Sequence, residues 1–179
     1  TIFMTDSTNG WVAGDAGILL KIENNSFTEY NQGEQFFFRD IQFDSPDHGW
    51  MIGYAVTETG NIGVVFEYKD GNWSLHSNID EMLYDIEFSP GGNGFIAGEH
   101  DIYRFKNVAN EWQPENIPDY YRQFHISMLN DDYGMSVSDN SSNLIYESGS
   151  WSTGPVAGVS DLFSIQLTSP ENGWAISQI

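Results

Sequence analysis

The chain has 179 residues, and 26 acidic against 6 basic side chains give it a formal net charge of −20 at pH 7. Nucleic-acid binding needs a basic surface and anionic membranes repel acidic proteins, so neither partner is expected. The chain has no cysteine, which excludes disulfides and thiolate–zinc sites. Its apolar runs are far shorter than the ~20 residues of a transmembrane helix, so no membrane insertion is expected.

A signature of apolar strand, polar turn, glycine and aromatic strand recurs along the chain. It first appears as Ile2-Phe3-Met4 followed by Asn9-Gly10-Trp11-Val12-Ala13-Gly14. The second copy runs from Asp40 to Gly53 and the third from Asp85 to Gly98. The fourth is weaker and spans 125–135, and the fifth runs from Ser164 to Ile176.

One glycine anchors each copy, and the spacing of these glycines defines the repeat. Subtracting neighbouring residue numbers gives gaps of 39, 45, 40 and 39. The longer gap is explained by extra residues between Tyr54 and Ile62, which lengthen one hairpin. The anchors are Gly10, Gly49, Gly94, Gly134 and Gly173.

Each repeat predicts four antiparallel strands. Alternating apolar residues, such as Ile41 and Phe43, predict a half-buried first strand. Turn-forming Ser, Pro, Asp and Asn follow, and the anchor glycine is expected to supply a positive φ at the turn exit. The aromatic residue after that glycine opens the second strand, and Trp11, Trp50 and Trp174 are expected in the core between repeats.

Four-stranded units of about forty residues without helix signals are typical of β-propeller blades. The fold class expected is therefore all-β, a β-propeller segment of four full blades and half of a fifth. The sequence predicts that these blades belong to a larger ring of six to eight. The expected blade limits are 1–34, 35–79, 80–117, 118–157 and 158–179.

The motif Ile-x-Phe-x-Ser-Pro-x-x-Gly-Trp-x-x-Gly, followed by Gly-x-Ile-Leu and Gly-x-Trp, resembles a known group. It is similar to bacterial propellers of the photosystem II stability/assembly-factor type, a branch of the BNR/Asp-box repeat superfamily. The resemblance implies a propeller fold and leaves the function open, since such repeats serve many roles. Tyr68–Trp73 is the stretch nearest to an Asp-box, and it lacks the Ser and the Thr. The basic patch of the assembly factors has no counterpart among three arginines.

Two candidate sites, one for sialidase-like hydrolysis and one for calcium, give no catalytic assignment. The sialidases of the BNR superfamily hold a carboxylate with three arginines, and this chain has Arg39, Arg104 and Arg122. Arg104 falls on a third strand, away from the other two. Asn130-Asp131-Asp132 offers oxygen ligands that could hold calcium, although it carries no recognisable calcium-loop signature. No other cofactor is expected.

The residues that open the first strands form the candidate binding set. They are Asp40, Asp85, His125 and Ser164, at a position that rims the central opening of a propeller. A polar, partly acidic ring there is a candidate binding face, and turn capping is the competing interpretation.

The sequence predicts a non-catalytic protein-interaction or structural module that is secreted or exposed at the cell surface, with the periplasm as a further possibility. Its expected partners are another protein or the missing blades of the same parent chain. The acidic charge suits solubility, a cationic partner or calcium. The alternative function is carbohydrate binding or sialidase-like glycoside hydrolysis, with a glycan as partner.

Overall fold

The computed structural model describes residues 1–118, 121–139, 142–155, 158 and 161–177. Among these residues, regular structure consists of strands and short 3-10 turns, such as the one at Asp15–Gly17. Within this described part, no helix has the length and apolarity needed to cross a membrane. The chain divides into two compact units, Thr1–Leu83 and Tyr84–Ile179.

The first unit contains two four-stranded sheets whose strands pair in chain order. The extra residues of the long repeat lengthen β6 and β7 to ten residues each, whereas β2 and β3 have five and six. The strands are β1 (Ile2–Met4), β2 (Asn9–Ala13), β3 (Ile18–Glu23), β4 (Ser26–Asn31), β5 (Phe36–Ser45), β6 (His48–Thr57), β7 (Gly60–Lys69) and β8 (Asn72–Ile79).

The second unit holds two further four-stranded sheets and a two-stranded one. All the strand pairs described in both units are antiparallel, as hairpins between neighbours in the chain require. The strands are β9 (Leu83–Phe88), β10 (Gly94–Gly98), β11 (Ile102–Lys106), β12 (Glu111–Pro114), β13 (Gln123–Asn130), β14 (Tyr133–Ser138), β15 (Leu144–Glu147), β16 (Ser150–Thr153), β17 (Leu162–Ser169) and β18 (Asn172–Ser177).

Aromatic contacts join successive sheets in the same way in both units. In the first unit, the Trp11 ring lies 5.3 Å from the Tyr68 ring and 5.7 Å from the Trp73 ring of the next sheet. In the second unit, Phe95 contacts Tyr146 and Trp151 at 5.1 and 5.8 Å. The prediction that the aromatic residue after the anchor glycine packs between repeats is therefore correct for Trp11 and for Phe95.

Trp174 departs from that prediction. Trp11 and Trp50 are buried, whereas Trp174 is 80% exposed on β18. The tyrosine and tryptophan that cover Trp11 come from the sheet that follows it. In the described residues, no sheet follows β18 to supply the equivalent rings.

The predicted role of the anchor glycines is also wrong. None of the five has a positive φ; the glycines that do lie in other turns. The anchors are instead required by close approach: a Cβ at Gly10 would lie 2.4 Å from the Phe3 carbonyl oxygen. At Gly49 it would lie 2.7 Å from the Phe43 ring. The first strand runs so close to the second that only glycine fits.

Candidate functional site

The candidate residues do not open the first strands as predicted, because each strand begins earlier: Asp40 is the fifth residue of β5, and the other three candidates are each the third residue of their strands β9, β13 and β17. Each candidate lies nine residues before its anchor glycine, by subtraction of residue numbers. In the first unit, Thr1 Oγ1 donates a hydrogen bond to Asp40 Oδ1 at 2.9 Å. These two residues occupy the same repeat position, so the contact joins equivalent points of neighbouring repeats.

The structure brings Asp85 and His125 together in the second unit. Asp85 is 7% exposed, and its Oδ2 accepts a hydrogen bond from the Ile126 amide at 2.7 Å. His125 Nε2 lies 3.8 Å from Asp85 Oδ1. Ser164 occupies the same repeat position on β17, where it pairs with Ile176 of β18 and is half-buried. The proposed set is therefore split, with Asp40 in one unit and the other three residues in the other.

A β-bulge falls at the same point of three first strands. The register shifts between Phe38 and Asp40, between Gln123 and His125, and between Leu162 and Ser164. Such bulges insert an unpaired residue and change the direction of its side chain. The inserted residues are Arg39, Phe124 and Phe163.

In the second unit, the bulged positions Phe124 and Phe163, together with Tyr84 at the equivalent position of β9, carry a row of contacting aromatic rings. Tyr84 lies edge-on to Phe124, with 5.5 Å between ring centroids. Phe124 stacks on Phe163 at 5.0 Å and an interplanar angle of 30°. Phe163 is 40% exposed, and the other two rings are half-buried. We call these three residues the aromatic row.

A depression of about 240 Å³ adjoins the aromatic row. Arg122 links the two features, since its Nε lies 3.3 Å from Asp139 Oδ2 and its positive charge acts on the Tyr84 hydroxyl. Burial raises the pKa of Tyr84; the nearby Glu99 carboxylate adds to this rise and Arg122 opposes it. We call this depression the acidic pocket; it is lined by Glu99, His100, Tyr121, Arg122 and Asp139.

The first unit shows a different arrangement around the bulge in its first strand β5. Phe37 stacks on Tyr54 with 5.0 Å between the ring centroids. The Arg39 guanidinium lies over the same tyrosine ring, 5.2 Å from its centroid. A cation–π contact here takes the place of the aromatic neighbours seen in the second unit.

Arg104 and Arg122, both in the second unit, have separate partners. Arg104 donates to Asn93 Oδ1 at 3.0 Å and lies over the rings of Phe95 and Tyr146. Arg122 instead pairs with Asp139. Nothing in these contacts assembles the arginine set that a sialidase would use.

The Asn130–Asp132 turn, considered for calcium, engages its oxygens in hydrogen bonds. Asp131 Oδ1 accepts from the Ser89 hydroxyl and from the Gly91 amide, and these bonds lower the pKa of Asp131. Asn130 Oδ1 accepts from the Asp132 amide at 2.9 Å. Within the described ranges, no group of three or more His, Asp or Glu residues is placed to hold a metal. Calcium binding stays a prediction.

No protein-family model and no curated protein matches the chain. Solved structures do match. A YCF48 protein bound to a D1 peptide shares 18% identity at a TM-score of 0.69, covering 99% of this chain and 59% of that one. The β-propeller domain of Myceliophteria thermophila Cps50 (Swd1) shares 12% at a TM-score of 0.66, covering 96% and 64%. The chain is part of a β-propeller.

A third propeller-like match is the extracellular domain of the one-component system BT4673 from B. thetaiotaomicron. It shares 12% identity at a TM-score of 0.60 and covers 94% of this chain but 28% of that one. These similarities confirm the predicted all-β partial propeller and its fold-level resemblance to the assembly-factor type. The chain spans about three fifths of the first two propellers.

The sequence predicted Asp85, His125 and Ser164 as binding residues, but the aromatic residues beside them were missed. The aromatic row occupies the position immediately before Asp85, His125 and Ser164. An aromatic residue at this position in three consecutive repeats was the available signal. The bulges that redirect Phe124 and Phe163 have no comparable mark in the sequence.

Proposed function

We propose that this propeller segment is a non-catalytic protein-interaction module and that the aromatic row is its peptide-binding surface. The observation that carries the proposal is the contact of three rings across successive first strands, with Phe163 40% exposed. Partly exposed aromatic residues held by rigid strands are the side chains that dominate binding energy at interfaces.

Two features support a polypeptide as the ligand. The similar YCF48 propeller was solved with a bound peptide. The first strands, with bulges at Phe124 and Phe163, hold the row in fixed positions, so little side-chain entropy is lost when a peptide binds. We further propose a secreted or cell-surface location, with the periplasm as the alternative compartment, in keeping with the charge of −20. Fractionation of the source cells with an antibody against the chain tests this location.

The binding proposal is tested by selection from a phage-displayed library of random dodecapeptides. Wild-type protein should enrich a set of peptides, and a Phe124→Ala/Phe163→Ala variant should bind them about tenfold more weakly because the stacked anchors are lost. Phe27→Ala is the matched control, because Phe27 is 65% exposed on β4, outside the aromatic row. Circular dichroism and thermal unfolding verify that both variants fold.

Absence of enrichment over a protein-free surface would refute the proposal. So would enriched peptides whose affinity is unchanged in the Phe124/Phe163 variant, because they would bind elsewhere.

Carbohydrate binding is the second candidate, since exposed rings beside carboxylates also suit a sugar face. Tyr121 and Phe163 are each 40% exposed, and Tyr121 lines the acidic pocket with Glu99 and Asp139. A glycan array with the same variants, together with a general glycosidase assay, separates the two functions. Glycan binding that is lost in the Phe124/Phe163 variant, or turnover of a glycoside, would favour this candidate over the peptide.

A further inference from the structure

The acidic pocket contains a partly exposed carboxylate, that of Asp139, whose described ion pair is with Arg122. Asp139 Oδ2 pairs with the Arg122 Nε at 3.3 Å. Asp139 Oδ1 is buried, so a ligand can reach this carboxylate only at Oδ2. The Asp139 side chain is 27% exposed, and a carboxylate oxygen accepts more than one hydrogen bond, so Oδ2 can accept an N–H group of a ligand beside its contact with Arg122.

The charges around the pocket favour a cation. Arg122 is the one arginine or lysine among the described residues that line it, and it is already paired with Asp139. The second carboxylate, Glu99, forms no ion pair within the described ranges. His100 is the other titratable base in the lining. The net charge of −20 would attract a positively charged ligand toward this site and repel an anion.

The walls of the pocket add a surface suited to a cationic side chain. The Tyr121 ring is 40% exposed, and aromatic faces attract ammonium and guanidinium groups. Tyr121 is held in place because the buried Gln123 donates from Nε2 to its carbonyl oxygen at 3.0 Å. Gln123 in turn accepts from the Ser136 hydroxyl at 2.7 Å. These two bonds fix the backbone from which the Tyr121 ring extends.

We propose that the acidic pocket binds the arginine or lysine side chain of a peptide whose apolar residues lie on the aromatic row. This inference rests on the proposed function and specifies its partner as a basic peptide. Glu99 and Asp139 accept the hydrogen bonds of the cation, and Tyr121 contacts its face. Arg122 connects the two surfaces, since it pairs with Asp139 of the acidic pocket and its charge acts on Tyr84 of the aromatic row.

The test uses small probes, so that it does not depend on knowing the natural partner. N-acetyl-arginine methylamide is titrated into ¹⁵N-labelled protein, and the neutral isostere N-acetyl-citrulline methylamide serves as the matched ligand. The arginine probe should shift the amide signals of the residues that line the acidic pocket. It should bind about tenfold more tightly than citrulline, the difference expected for a charge-assisted contact.

Substitutions of the carboxylates complete the test. Glu99→Gln and Asp139→Asn should each weaken the arginine probe about fivefold or more and leave citrulline unchanged. Glu99→Gln is the cleaner variant, because it leaves the Asp139–Arg122 pair intact. Glu171→Gln, an exposed carboxylate in the β17–β18 turn, is the matched control and should have no effect.

Equal binding of arginine and citrulline would overturn the inference. Tighter binding of N-acetyl-glutamate methylamide would do the same, because it would make Arg122 an anion site. Peptides from the phage library that need Phe124 and Phe163 but no basic residue would refute this inference and leave the proposed function standing. Arginine binding at the pocket without any enriched peptide would refute the proposed function and establish only a cation site.

Discussion

Asp85 on β9 accepts a hydrogen bond from the Ile126 amide on β13, with 2.7 Å between Oδ2 and nitrogen. Ser127 and Leu167 repeat the arrangement one sheet later, where the Ser127 hydroxyl accepts from the Leu167 amide at 3.0 Å. In the part of the chain that the structure describes, no backbone ladder joins these first strands, because each belongs to a separate sheet. Side chains on one first strand thus satisfy buried amides on the next.

We expect Asp85→Ala to destabilise the protein by about 1–3 kcal/mol, because the buried Ile126 amide would lose its acceptor. Asp85→Asn retains an acceptor oxygen and should lose clearly less. Urea unfolding followed by circular dichroism measures both, with Glu171→Ala as an exposed control in the same unit. Equal losses for the Ala and Asn variants would show that the charge matters and the hydrogen bond does not.

Replacing Gly10 should destabilise the first unit, whereas replacing the nearby Gly14 should not. A Cβ at Gly10 would lie 2.4 Å from the Phe3 carbonyl oxygen, a backbone atom that cannot move aside. Gly14 is extended, with φ of −160°, and a Cβ there would meet no atom within 4 Å. Gly10→Ala should cost about 1–3 kcal/mol, as overpacking typically does. Thermal unfolding of the two variants tests the difference, and equal midpoints would contradict it.

The turn between β1 and β2 should contribute stability that disappears in acid. The Asn9 amide side chain and the backbone and side-chain donors of Thr8 lower the pKa of Asp6 from 3.8 to about 2. A lowered pKa in the folded state means that the contribution is full above pH 3.8 and is lost as the pH falls through about 2. Asn9→Ala should raise the pKa of Asp6, measured by carboxyl ¹³C NMR. An unchanged titration would show that the Asn9 bond is not the main cause.

The difference between Trp174 and Trp50 should be visible in fluorescence quenching of the 179-residue chain. Trp174 is 80% exposed and Trp50 is 0% exposed. Trp174→Phe should therefore remove the emission most accessible to acrylamide and lower the quenching constant. Trp50→Phe should leave that constant unchanged or raise it, since it removes a protected emitter. The opposite order would place Trp174 inside a packed interface.

Features that depend on residues close together in the chain could be predicted from the sequence. The repeat could be predicted because alternation, as in Ile41 and Phe43, and turn residues act within a few positions of the chain. The hairpin insertion between Tyr54 and Ile62 was predictable for the same reason, and it appears as two longer strands. The resemblance to known propellers followed from the same spacing.

The sequence by itself therefore determined an all-β repeat of four-stranded units and the spacing of that repeat along the chain. Only the tertiary structure decided that Gly10 serves close packing, that Trp174 is exposed, and that bulges bring Phe124 onto Phe163. These features depend on contacts between residues about forty positions apart, such as Asp85 with Ile126. A local pattern cannot encode them, because the energy of each contact depends on which neighbouring sheet lies against it.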